Sequence, residues 1–143
     1  MKTRIFFGSL VLMLVLVLPL HANGKADLQK YFIDAASKVK ATDNPSEKRA
    51  ILNESFQRMS KALDIVQSLP TISNVDRDGI AHFKAALQEK QDELAGCNGF
   101  VRVSDAQLNA FSNYVVQEME QAEMITISVV TLLLIIILVI LLL

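Results

Sequence analysis

Tryptophan is absent from this sequence, cysteine occurs once, and proline and glycine occur only three and five times in 143 residues. The lone Cys97 excludes an intrachain disulfide and any zinc site built on several thiolates. So few helix breakers favour long helices with short connections. Neither sign of charge dominates: 14 Lys and Arg face 15 Asp and Glu, for a formal net charge of −1. The two signs are interspersed through the middle of the chain, which argues against the one-sided basic excess of a nucleic-acid binder.

What is present in quantity is apolar sequence, and much of the 52% hydrophobic content sits at the two ends. Ile125 to Leu143 carries no charge, Pro or Gly, and its polar residues, Thr126, Ser128 and Thr131, all lie near its start. As a helix it would be roughly 28 Å long, close to the hydrocarbon thickness of a bilayer at about 30 Å. A single C-terminal transmembrane helix is therefore expected over residues 124–143. Met1 to Gly24 has the layout of a signal peptide: basic Lys2 and Arg4, a mostly apolar stretch from Ile5 to Leu20, then small and polar residues. Cleavage after Ala22 or after Gly24 fits the pattern, and an uncleaved anchor is the alternative. Lys2 and Arg4 place the N-terminus on the cytoplasmic side, so residues 25–123 are expected to be exported. An apolar tail with no basic residue after it also fits a GPI-attachment signal in a eukaryotic source.

Between the ends the apolar residues recur at helical spacing. Leu28, Tyr31, Phe32, Ala35, Ala36 and Val39 share one face of a helix over Ala26–Lys40. Asn44-Pro45-Ser46-Glu47 is a helix start, with Asn44 as cap, Pro45 in the first turn and Glu47 placed for a capping box. The helix it opens should run to about Leu69 on a stripe of Leu52, Phe56, Met59, Leu63 and Val66, broadened by Ile51, Ala62, Ile65 and Leu69. A third helix ends near Ala95, with Gly96 as its terminator and Ile80, Phe83, Leu87 and Leu94 as core. Ala81, Ala85 and Ala86 would allow close approach beside that core. Asn98-Gly99 marks a turn. Ser104 and Gln107 have the spacing of a second capping box, and Leu108, Phe111, Val115 and Ala122 form the apolar face that follows, flanked by Tyr114 and Met119. With no Pro or Gly after Ser104, one helix is expected from Asp105 to Leu143. The fold class is all-α: a small three- or four-helix antiparallel bundle whose last helix continues into the membrane.

Candidate chemistry is sparse. Leu94-Ala95-Gly96-Cys97 has the letters of a lipobox but follows Gln91-Asp92-Glu93 rather than an apolar signal, so Cys97 is expected to be a partly buried loop thiol, with an intermolecular disulfide as the alternative. His82 has a single carboxylate, Asp78, one turn away, too little for a metal site. Asp92-Glu93 and Glu118, Glu120 and Glu123 read as solvated helix faces, with no nucleophile beside them. Asn53-Glu54-Ser55 matches a glycosylation acceptor but lies mid-helix. Ser128 and Thr131 could bond across a helix pair or back to their own carbonyls. No catalytic, cofactor-binding or metal-ligating set is expected, and the protein is not expected to be an enzyme. The expected function is a membrane-anchored extracytoplasmic module that binds or scaffolds another envelope or surface protein, or a second copy. The alternative is a small pore- or lysis-type protein.

Overall fold

The computed structural model describes residues 24–121 and 127–142. These residues form an all-helical bundle of five α-helices and one 3-10 turn. The first 23 residues of the expected signal peptide lie outside the described range, and Gly24 already belongs to the first helix.

Helix α1 (Gly24–Ala41) buries the expected face: Leu28, Phe32, Ala35, Ala36 and Val39 are all in the core. Tyr31 is half-buried and donates its hydroxyl to the Ser55 carbonyl at 2.7 Å. Helix α2 (Pro45–Gln67) starts on the Asn44 cap, whose Oδ1 accepts from the Ser46 and Glu47 amides at 3.0 and 3.4 Å. The capping box does not close as expected, because the Glu47 carboxylate accepts from the Thr42 hydroxyl at 2.8 Å instead. The stripe from Leu52 to Val66 is buried as read, but Ile65 lies at the surface.

Helix α3 (Asn74–Ala95) ends at Gly96 in the left-handed conformation (φ 75°), where the Gly96 and Cys97 amides both donate to the Asp92 carbonyl at 2.8 and 2.9 Å. A Cβ at Gly96 would sit 2.7 Å from the Arg102 amide nitrogen, so only glycine fits this turn. Asn98 and Gly99 also take positive φ, as the turn signal requires. Ile80, Phe83, Leu87 and Leu94 are buried, whereas Ala81 and Ala85 face solvent.

Contacts at the helix ends give the directions. Gln67 and Arg77 bond reciprocally at one end of the α2–α3 pair, and Arg49 reaches the Leu94 carbonyl at the other, so the two helices are antiparallel. Ser104 has the extended backbone of a cap but makes no side-chain cap bond, and the chain enters helix α4 (Leu108–Gln121) through a 3-10 turn at Asp105–Gln107. Lys48 reaches Asn109 at 2.7 Å, so α4 starts beside the start of α2. It packs chiefly on α1, burying Leu108, Phe111, Val115 and Met119.

The last element corrects the sequence reading. An unbroken helix from Asp105 to Leu143 is not formed: Ser128 is extended (φ −62°, ψ 152°) and caps a separate helix α5 (Val129–Leu141). At 13 residues α5 is about 20 Å long. Among the described residues no helix is long and apolar enough to cross a membrane, so the expected transmembrane helix over 124–143 is not seen. The physical reason is a competing seat. Helix α5 packs on α1 and α2, and Ile127, Leu132, Ile135, Ile136 and Val139 join the same core as Phe32, Phe56 and Met59.

Candidate functional site

The polar centre of the molecule lies where α5 enters the bundle. Ser73 caps α3 by accepting from the Asp76 amide at 3.1 Å, which places Asp76 in the first helical turn. A carboxylate is favoured there by the helix dipole. Yet Asp76 is 6% exposed, and a buried carboxylate is costly unless its oxygens are bonded. Three donors from the start of α5 meet it. The Ser128 amide donates to Oδ1 at 2.8 Å, and the hydroxyls of Ser128 and Thr131 donate to Oδ2 at 2.8 and 2.7 Å. The Ser128 hydroxyl also accepts from the Thr131 amide at 3.3 Å, closing the N-terminal turn of α5. Burial alone would raise the Asp76 pKa. The bonds from Thr131 and Ser128, with Ser73, outweigh it and hold the carboxyl below its usual 3.8. The carboxylate is thus ionised and fully engaged by its own chain.

Beyond Thr131 no described residue of α5 is polar. The helix buries one face and turns the other outward: Val130 and Leu141 are 77% and 58% exposed, Leu133 and Ile137 are half-buried between them, and Leu134 and Leu138 flank the core.

A second buried charge lies between α3 and α4. Lys90 is 2% exposed and donates to Glu93 Oε1 and to the Tyr114 hydroxyl, each at 2.8 Å, with Nζ 4.2 Å from the Tyr114 ring centroid. Burial lowers the Lys90 pKa, but Glu93 and Tyr114 more than reverse this and raise it above 10.5. Glu93 is therefore an ion-pair partner rather than part of a solvated acidic face. Burial pushes the Tyr31 hydroxyl up to about 12, although Arg58 and the Ser55 bond act in the opposite direction.

The residues singled out in the sequence are not brought together. His82 and Asp78 are exposed, Cys97 is exposed rather than partly buried as expected because it follows Gly96 out of α3 into the surface turn, and Asp92 bonds to Gln88 and Asn98. Asn53 is exposed in the middle of α2, while Ser55 of the same tripeptide is buried and bonds back to the Ile51 carbonyl. Among the described residues no group of three or more His, Cys, Asp or Glu could hold a metal ion. Sequence reasoning missed Asp76 and Lys90. The signal for the former was the Ser128-Val129-Val130-Thr131 start ahead of an apolar run, a helix N-terminus in its own right. Comparison with protein-family models, with curated proteins and with solved structures gives no match.

Proposed function

We propose that this protein is a helical module that works at a membrane surface, with α5 as the element that meets lipid and the bundle as the part that binds another envelope or surface protein. The observation that carries this reading is the outer face of α5. From Val130 to Leu141 it offers aliphatic side chains alone, partly open to solvent, on a helix with no charge. A continuous apolar patch of this kind marks a protein or membrane contact. The basic N-terminal segment followed by an apolar stretch supports an extracytoplasmic placement of the bundle.

The test is flotation of the full chain with phosphatidylcholine vesicles, comparing the wild type with Ile137→Lys. A lysine in the middle of an apolar span costs about 2.5–3.5 kcal/mol on insertion scales, enough to lower partition by more than an order of magnitude. In the folded bundle the half-buried site leaves the lysine stem a path to water. Equal flotation of both proteins would remove lipid from the reading. If lipid binding holds, crosslinking from the exposed faces of α2 and α3 in intact cells then identifies the partner.

A further inference from the structure

We propose that α5 has two seats, the bundle and a lipid bilayer, and that Asp76 is the latch that sets the balance between them. This rests on the reading of α5 as the lipid-facing element and adds how its exposure is controlled.

The bundle holds α5 in two unlike ways. Its inner face, Leu132, Ile135, Ile136 and Val139, is held by apolar burial on α1 and α2. Such burial does not distinguish the two seats, because lipid chains are as apolar as leucine. The outer face does distinguish them, in the direction of lipid, since Val130 and Leu141 are exposed when α5 is seated in the bundle. Two things oppose transfer. One is the apolar surface of α1 and α2 that departure would uncover. The other is the set of three bonds to Asp76, the polar interactions that bind the start of α5 to another helix. Bonds to an ionised acceptor are the strong ones, and hydrocarbon offers the start of α5 no carboxylate in exchange.

The two seats also reconcile the length of the helix with the length of the apolar sequence. Seated in the bundle, α5 begins at Val129 because Ser128 is held extended as the cap, with its amide and hydroxyl on Asp76. Freed from Asp76, nothing in the sequence from Ile125 to Leu143 breaks a helix, as it contains no Pro or Gly. Ser128 and Thr131 can then bond back to carbonyls of their own helix. The helix lengthens from about 20 Å to roughly 28 Å, the span a bilayer asks for. One stretch thus serves as a short core helix or a longer membrane helix, and the carboxylate selects the short form.

The experiment is a double-mutant cycle on vesicle partition, using the full chain and phosphatidylcholine vesicles. Asp76→Asn takes the charge from all three bonds, and Thr131→Val removes one of them from the α5 side and leaves α3 untouched. Each should raise partition about tenfold or more, the factor an ionic hydrogen bond commands. The double variant should gain little beyond Asp76→Asn, because the Thr131 bond is one of the three that this substitution already weakens. Independent, multiplying effects would overturn the latch, since Thr131→Val then acts only by making the helix more apolar. Unchanged partition in both single variants would overturn it as well. If the wild type and the latch variants bind equally and Ile137→Lys abolishes binding, α5 meets lipid but Asp76 does not govern it. If none binds, the underlying reading of α5 fails.

Discussion

The hydroxyl of Thr131 donates to Oδ2 of Asp76 at 2.7 Å, fastening the first turn of the last helix to the first turn of α3 across 55 residues of sequence. Together with the two bonds from Ser128, it turns a buried charge from a liability into an anchor. The same geometry fixes how the protein responds to acid.

The Asp76 carboxyl is held below 3.8 in the folded protein, so the unfolded chain takes up its proton first as pH falls. A depressed carboxyl contributes stability in full above its unfolded pKa and loses it as pH drops through the folded one. The wild type should therefore lose its advantage over Asp76→Asn only below about pH 4, and keep it undiminished from about pH 5 to 8. Thermal unfolding midpoints of both proteins over that range measure it. An advantage that already fades near pH 6 would mean a different group is titrating.

Lys90 gives a second, oppositely signed case. Its pKa is raised above 10.5 by Glu93 and Tyr114 despite burial, so its contribution is complete at neutral pH and is lost only as pH rises through the folded value. Lys90→Ala leaves the Glu93 carboxylate, itself mostly buried, without its cation. Breaking a buried pair from one side costs about 3–5 kcal/mol. Lys90→Met combined with Glu93→Leu should recover most of that loss. Urea unfolding of the single and double variants decides between a pair that stabilises and one that is merely compensated.

Phe111 tests whether α4 belongs to the bundle or is only a stalk. Its ring is 7% exposed, and the tilted Tyr114 ring lies 6.2 Å away by centroids. Phe111→Ala should cost about 3–5 kcal/mol, as a buried aromatic truncation does. A loss under about 1 kcal/mol in urea unfolding would detach α4 from the core.

These residues also show what was legible in the sequence. Phe111, Leu52 and Phe32 announce themselves by helical spacing among polar neighbours, and Asn44-Pro45 and Gly96 by backbone chemistry that acts within one turn. Helix α5 defeats the same reasoning. Every residue from Leu132 to Leu142 is apolar, so no face is marked as inner, and length and hydropathy then point to a bilayer. What seats α5 in the bundle is a carboxylate far away in the chain, and a contact at that separation leaves no periodic trace. Lys90 is hidden for a related reason: a lysine three residues before a glutamate looks like any solvated pair until Tyr114 and the packing of α4 cover it.

Arg49 carries the last prediction, because it closes the end of the bundle opposite the Asp76 latch. Its guanidinium donates to the Val103 carbonyl at 2.5 Å and to Asp105 Oδ1 at 2.8 and 3.3 Å, with a longer reach to the Leu94 carbonyl at 3.5 Å. One side chain on α2 thereby holds the last turn of α3, the loop beyond Gly96 and the 3-10 entry to α4. The side chain is 13% exposed while Asp105 is 59% exposed, so the ion pair itself is screened and contributes little. The carbonyl bonds are the larger part, because they are partly buried. Arg49→Lys keeps the charge but replaces a planar fork with a single point donor, which cannot serve Val103 and Asp105 at once in this geometry. The expectation is a loss of about 1.5–3 kcal/mol for Arg49→Met and of more than half that for Arg49→Lys, while Asp105→Asn costs under about 1 kcal/mol. Hydrogen exchange should localise the loss, with faster exchange at the amides of 96–104 and unchanged protection in the middle of α2. If Arg49→Lys matches the wild type in both stability and exchange, charge alone holds this end and the fork geometry has no role.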